Sequence, residues 1–336
     1  MAAELSIVLP VYNAESTLAE CLDSISAQTL GRYELIVIDD GSSDNSAAII
    51  QRYQKTDNRI QLVQPGRIGL VESLNLGIKT ARTRTIARMD ADDIMHPDRL
   101  GKQMSYLATN PDVGLVSCLV RLFPDHIIKK GYQEYIQWQN SVTTPEQIAT
   151  QIYVESPFAH PSVMFRKSII GALGGYRYGD FPEDYELWLR MISNGIRMTK
   201  LDEVLLEWRD SAQRASRTDP RYLKLSFDRL RAEFLGRDER IPKNRPLVYW
   251  GAGRKTRQRA QLLIEKGFPV CAWIDIDPNK IGNRINGIPV HPPQWLEQET
   301  RPFVLNYVNN YGAREVIAKH LRGFGYKQNQ DYLMVG

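Results

Sequence analysis

No stretch of this chain approaches the roughly 18 consecutive apolar residues of a membrane-spanning helix, so none is expected. No basic region followed by an apolar core stands at the N-terminus, and the expected location is the cytoplasm. Cysteine is scarce: Cys21, Cys118 and Cys271 lie far apart, with neither metal-site spacing nor a disulfide framework, which fits a reducing compartment. There is no long Lys/Arg block, and 43 basic against 39 acidic residues leave a net charge of only +4. That gives no sign of a nucleic-acid binder, and none is expected, while weak peripheral contact with anionic lipid headgroups stays open. Internal repeats and low-complexity segments are also missing. What remains is an ordinary globular composition, 43% hydrophobic and 24% charged, in 336 residues, enough for two domains.

The order of the elements is informative. Leu5 to Leu9 reads as a strand stopped by Pro10, and Ser16 or Thr17 as the cap of a helix carrying Leu18, Cys21, Leu22 and Ile25. Strands follow at 34–38, 60–63 and 85–89, with helices near 47–50 and over 70–81. This alternation predicts an α/β fold, a mainly parallel sheet with helices on both faces. Beyond Pro111 the pattern predicts strands at 113–120, 161–165 and 200–208 and helices at 145–152, 182–191 and 223–235. The segment 121–141 reads as a flexible stretch able to fold over a ligand, or as a passive insertion. Gly236 to Pro246, polar with two prolines, reads as a linker between domains at 1–235 and 247–336.

The chemistry concentrates at strand ends. The run Thr85-Ile86-Ala87-Arg88-Met89 is apolar apart from Arg88 and ends in Asp90-Ala91-Asp92-Asp93. Carboxylates at the carboxyl end of a buried strand lie where open α/β sheets bind ligands, and hard oxygen donors suit Mg²⁺ or Mn²⁺. The first strand leads into Pro10-Val11-Tyr12-Asn13-Ala14-Glu15 and the second ends in Asp39-Asp40-Gly41-Ser42. In a parallel sheet these three ends share one rim. There Tyr12 could stack on a base, Asp40 could accept a base N–H and Asp92 could hold a divalent ion against two phosphates. Taken singly, each acidic run also reads as a solvated turn or a capped helix start, with Asp98 as one such N-cap.

Together, residues 6–15, 38–44 and 87–93 closely resemble family-2 inverting glycosyltransferases, over roughly residues 4–215. The resemblance implies a GT-A fold and a donor that is a nucleotide diphosphate sugar, by default UDP-linked. It implies nucleotide-sugar contacts from Pro10, Tyr12, Asn13, Glu15, Asp40, Arg67, Arg88, Asp90, Ala91 and Asp92. Asp90-Ala91-Asp92 would be the DxD element, with Mn²⁺ or Mg²⁺ on Asp92 and Asp90 as a further ligand. Phe181-Pro182-Glu183-Asp184-Tyr185-Glu186 resembles the element holding the catalytic base, which makes Asp184 that base; Asp93, His160 and Glu183 would face the donor or acceptor sugar. Relatives often carry a metal-binding histidine soon after the strand ending near Trp208-Arg209. Here Asp210 stands at that place, and Arg209, Arg214 and Arg217 are alternative partners for the diphosphate. The acceptor would be a saccharide or glycolipid of surface-polysaccharide synthesis.

The C-terminal segment has Gly251-Ala252-Gly253 between a strand and a helix, with Asp275 closing the next strand, the skeleton of a dinucleotide fingerprint. Thr256 stands where the third glycine or alanine belongs, which argues against a pyrophosphate there. The segment resembles half-Rossmann domains of sugar-modifying proteins, and docking or homo-oligomerisation is the favoured role. Three other readings compete. A sugar nucleotidyltransferase would need a glycine-rich basic loop after the first strand, and residues 10–15 contain neither glycine nor a basic residue. A dehydrogenase is disfavoured by Thr256. A non-catalytic nucleotide-sugar sensor or scaffold is disfavoured by Asp92 and Asp184.

Overall fold

The computed structural model describes residues 3–124, 126, 128, 130–211, 214–297, 301–310 and 312–336. The chain forms two compact units, Met1–Ile148 with Pro157–Asp219, and Ala149–Ser156 with Pro220–Gly336. The division therefore falls at Asp219/Pro220, not in the 236–246 segment.

In the first unit the elements run β1 (Leu5–Val11), α1 (Leu18–Ser26), β2 (Tyr33–Asp39), α2 (Ser46–Gln54), β3 (Ile60–Val63), α3 (Leu70–Thr80) and β4 (Thr85–Arg88). Then come β5 (Ile94–Met95), α4 (Arg99–Thr109), β6 (Val113–Phe123), α5 (Lys130–Ser141), α6 (Pro145–Gln151, whose residues from Ala149 on are assigned to the second unit), β7 (Met164–Arg166), α7 (Lys167–Ala172), α8 (Glu183–Ser193), β8 (Arg197–Arg209) and α9 (Ala215–Thr218). Their eight-stranded sheet has the order β3-β2-β1-β4-β7-β6-β8-β5. Strands β1 to β4 pair in parallel, as do β6 and β8, whereas β7 runs antiparallel to both its neighbours. β1 and β2 are buried along their whole length, as expected of central strands covered on both faces.

Three local expectations are corrected. β1 runs through Pro10 to Val11, because its pairing with β4 ends at Val8 and the missing proline N–H leaves no ladder bond unmade on that side. Neither Thr17 nor Asp98 caps its helix through its side chain. Thr17 donates instead to the Ala91 carbonyl (3.1 Å), and Asp98 accepts from Thr29 (3.2 Å). Of the segment 121–141, residues 121–123 extend β6 and Lys130–Ser141 is helix α5, while 125, 127 and 129 lie outside the described residues.

The second unit contains α10 (Lys224–Leu235), β9 (Leu247–Trp250), α11 (Arg254–Ile264), β10 (Val270–Ile274), β11 (Arg284–Ile285), β12 (Ile288–His291), β13 (Phe303–Asn306), α12 (Ala313–Gly323) and β14 (Tyr332–Met334). Its sheet order, β11-β12-β10-β9-β13-β14, is parallel except for the β11–β12 hairpin. Apart from β11 this is the doubly wound arrangement that reverses direction beside the first strand. α10 belongs here because buried Asp228 accepts from Arg231 (2.9 Å) and from Arg259 on α11 (3.0 Å). Arg259 in turn donates to the carbonyls of Tyr307 and Val335. Among the described residues no helix is long and apolar enough to cross a membrane. All three cysteines are free, Cys21 and Cys118 buried and Cys271 exposed.

Helix α3 approaches β1 most closely at Gly77, where an added Cβ would lie 2.4 Å from Cγ1 of Val8. Val8 is β-branched and fixed in a central strand, so it has little room to yield. Gly77→Ala should therefore lose about 1–3 kcal/mol of stability by overpacking, despite alanine's better helix propensity. Urea denaturation checks this, and an unchanged or raised midpoint would count against such tight helix–strand contact.

Candidate active site

The register of β1 against β2 and β4 brings three loops to one rim. Val11 pairs with Asp39 and Val8 with Arg88, and the chain continues through the Asp40 amide on the Val11 carbonyl (2.8 Å) and the Met89 amide on the Val8 carbonyl (3.1 Å). Asp40 is buried. Its Oδ1 accepts the amides of Ile68 (2.6 Å) and Gly69 (2.8 Å), and its Oδ2 is ion-paired with Arg67. Gly41, at φ +70°, lets this loop meet the next one: a Cβ there would stand 3.0 Å from the Arg67 amide. The Arg67 guanidinium lies 3.6 Å from the centroid of the Tyr12 ring, which is half exposed. Tyr12, Asp40 and Arg67 thus form one slot with an aromatic face, a carboxylate and a cation.

Asn13 and Glu15 are used differently from the sequence expectation. Asn13 takes φ +48°, donates its amide to Ser42 (3.0 Å) and accepts the Ser43 amide (2.8 Å). Glu15 accepts from the backbone and side chain of Asn45 (3.0 and 2.8 Å). Both side chains clip the loop after β1 to the loop after β2. Pro10 is buried inside β1. Asp39 holds its own turn, accepting from the Ser42 amide and from Gln64.

Past β4, carboxylate oxygens of Asp90, Asp92 and Asp93 all lie within 4.8 Å of one another. Arg88, itself buried, is ion-paired with Asp90. Burial and the neighbouring Asp90 charge push the Asp92 carboxyl up to about 6. Burial and then Asp92 and Asp90 push Asp93 well above the usual carboxylate range. Asp93 accepts the Arg209 amide on Oδ1 (2.7 Å), while its buried Oδ2 has no partner among the described residues. Two further donors fix the turn: Thr17 on the Ala91 carbonyl and the Cys21 thiol on the Asp90 carbonyl (3.2 Å). Burial, reinforced by the three acids, pushes that thiol up, so it stays protonated.

Asp210 does not join this cluster. It is buried, ion-paired to Arg217 (2.6 Å), and its Oδ1 lacks a partner among the described residues. Arg209 is committed to the acidic turn, donating from Nε to the Asp92 carbonyl (2.7 Å) and pairing with Glu20. Arg214 is held over the Trp208 ring (4.1 Å) and donates to Tyr132 (2.8 Å). Its charge, like that of Arg88, favours the ionised forms of Asp92 and Asp93.

Asp184 stands in the first turn of α8, behind Pro182. Burial, then the adjacent Glu183 charge, raises its carboxyl to about 7, against opposing contributions from the Tyr185 amide (2.7 Å) and Arg88. Glu183 is buried, and Glu186 is a structural acid, bidentate to Arg190 (2.9 and 2.6 Å). His160 lies in the turn before β7; its Nε2 shares a hydrogen bond with the Tyr176 hydroxyl (2.8 Å), and its ring meets Trp188 edge-on. Burial and then Arg88 depress its pKa, so the ring is neutral. Tyr176 is felt by Arg88, Asp184, Glu183 and Asp90 alike. Arg88 and Tyr176 therefore link Asp184 and His160 electrostatically to the acidic cluster.

Sequence reasoning missed Tyr176, Tyr132 and Trp208, which orient His160 and Arg214, and Thr17, which ties α1 to the acidic turn. None stands in a chemical motif; each acts through long-range packing. In the second unit, Asp275 accepts the Ala252 amide (2.8 Å) and pairs with Lys280 (3.2 Å), so the fingerprint's acid closes onto its own glycine loop. Thr256 packs directly over Gly251, where a Cβ would come within 2.6 Å of its methyl group.

The family model described as Glycosyl transferase family 2 matches residues 6–174. The amylovoran biosynthesis glycosyltransferase AmsE of Erwinia amylovora is 32% identical over 207 residues, 61% of this chain and 75% of the relative. The O-antigen biosynthesis glycosyltransferase WbnJ of Escherichia coli is 31% identical over 210 residues, 61% of this chain and 79% of the relative. Among solved structures, S. aureus TarS 1–349 in complex with UDP-GlcNAc superposes with a TM-score of 0.58 at 17% identity, covering 78% of this chain and 71% of that one, which speaks for a shared GT-A type fold. With its strand-end acids, its mainly parallel sheet and the family match across half its length, the chain belongs to glycosyl transferase family 2 and is a glycosyltransferase.

Proposed function

We propose that the protein transfers a sugar, with inversion and with the help of a divalent ion, from a nucleotide diphosphate sugar to an acceptor hydroxyl. The observation that carries this reading is the cluster of Asp90, Asp92 and Asp93 at the strand-end rim, ion-paired to buried Arg88, in a chain whose family match spans that rim. The Tyr12–Asp40–Arg67 slot suits a base that offers a ring face and an N–H, and UDP is the donor nucleotide proposed. Here Arg67 would have to share Asp40 with the base.

The acidic cluster fits Mn²⁺ or Mg²⁺. Oxygens of three carboxylates lie within 4.8 Å of one another, two of the acids are pushed toward protonation by burial and then by mutual repulsion, and one buried Asp93 oxygen has no partner among the described residues. Asp92 and Asp90 would hold the ion, with Asp93 beside them; Asp210, paired to Arg217, is not proposed as a ligand. Such an ion supplies charge neutralisation for a departing diphosphate.

The residues then divide the work. Tyr12 and Asp40 bind the nucleotide. Arg214, braced by Trp208 and Tyr132, is placed to meet negative charge as the diphosphate leaves. Asp184 accepts the proton of the acceptor hydroxyl as that oxygen attacks the anomeric carbon from the face opposite the leaving group. One displacement inverts the centre, and no covalent enzyme intermediate forms. The named relatives work on amylovoran and O-antigen, so a saccharide or glycolipid of bacterial surface-polysaccharide synthesis is the proposed acceptor.

A thermal-shift screen of nucleotide sugars with and without Mn²⁺ tests the donor and the metal together. A UDP-sugar should stabilise the protein more with the ion than without it, and Asp92→Ala should remove that difference. Equal stabilisation with and without Mn²⁺ would refute the metal assignment.

Asp184→Asn should lower transfer by about 10²–10⁴-fold while still binding donor. The rate should rise with pH through about 7, because the base must be ionised to act. Asp184 holds its proton more tightly folded than unfolded, so its ionisation lowers stability as pH climbs from about 4 to about 7. Asp184→Asn should consequently be at least as stable as the parent at alkaline pH, separating lost chemistry from lost folding. Near-normal turnover in this variant would end the assignment of Asp184 as base.

A further inference from the structure

We infer that the second unit carries its own small-molecule site, for a carboxylate borne on a single ring. A cavity of about 270 Å³ lies between α11, β10 and the β11–β12 hairpin. α11 contributes Arg257, Gln261 and Ile264, one stripe at helical spacing. β10 contributes Trp273. The hairpin closes the third side, turning at Asn286 (φ +50°) and Gly287 (φ +80°), a two-residue turn of the kind that needs left-handed backbone at both positions. The Arg284 guanidinium locks that turn by donating to the Gly287 carbonyl (2.7 Å).

The lining states the ligand's chemistry. Arg257 Nε and Trp273 Nε1 are buried and have no hydrogen-bond partner among the described residues, and Trp273 is only 3% exposed. Leaving a buried donor unmatched is costly, and a ligand that supplies acceptors beside Arg257 and Trp273 would relieve that cost. Both groups can only donate, and among the described residues no acidic one lines the cavity. The guanidinium is permanently charged and its planar fork matches a carboxylate. The remaining wall, with Ile264, Ile285 and Ile288 beside the indole, offers an apolar surface to a ring. The volume falls below the roughly 300–1,000 Å³ of drug-sized sites, which leaves room for one ring. An aromatic acid and a uronic acid share this chemistry.

The test uses the full chain with ¹⁵N-labelled tryptophan, the Trp273 indole signal being assigned through Trp273→Phe. Benzoate, glucuronate and neutral benzamide are titrated at constant ionic strength. Benzoate should move the Trp273 signal saturably, and Arg257→Gln should weaken that binding by about tenfold or more, the scale of one charge-assisted hydrogen bond. Ile285→Trp, which fills the cavity from the hairpin side, should abolish the shift. Glucuronate binding with the same dependence on Arg257 would support the site and identify the acid as a sugar acid. The inference falls if neither carboxylate moves the Trp273 signal, if benzamide binds as well as benzoate, or if Arg257→Gln leaves binding unchanged.

Discussion

The first unit is organised around the cost of crowding three carboxylates at the end of a buried strand. Asp90, Asp92 and Asp93 repel one another where water screens them poorly, and two of them respond by holding protons above the usual range. The protein offsets this with cations that it anchors elsewhere. Arg88 rises from within β4 to pair with Asp90, Arg209 donates backbone and side chain to the acidic turn, and Arg214 is pinned over Trp208. Such an arrangement is poised for a ligand that brings further positive charge, because that charge relieves repulsion already present.

Arg88 also couples the acids to the other half of the site. It opposes the rise of the Asp184 carboxyl and helps keep His160 neutral, although it lies on β4 while they lie on α8 and on the turn before β7. Burial is the larger influence on both groups, and it acts in opposite senses: the acid gains a proton and the histidine loses one. The helix start alone would favour ionised Asp184, and desolvation overrides it.

The rim also separates side chains that build the site from those that remain available in it. Asn13 and Glu15 have spent their hydrogen bonds on joining adjacent loops, and Asp39 on its own turn and on Gln64. Tyr12, half exposed beneath Arg67, and Asp40, gripped by two amides, form the slot that those loops support. Neighbouring residues of one motif thus have opposite roles. Position along the chain could not distinguish them, because most of their partners are remote in sequence.

The strands through Arg88, the helices behind Thr17 and Pro182, and the acidic strand ends were legible in the sequence, because burial on both faces demands apolar runs and rims collect polar residues. Pro10 misled because a proline's cost depends on whether a neighbouring strand needs its N–H, which is a property of register. The unit boundary misled because Gly236 to Pro246 looks like a linker, whereas the ion pair of Asp228 with Arg259 draws α10 into the second unit. The amino-acid order by itself determined the family, the α/β architecture and the acids that could act. Only the tertiary structure decided that Asp210 faces Arg217 rather than the acidic cluster, that Arg214 is the cation braced beside it, and that Asp184 loses enough water to sit near neutrality. Those outcomes depend on desolvation and on distances between side chains remote in sequence, which no local pattern encodes.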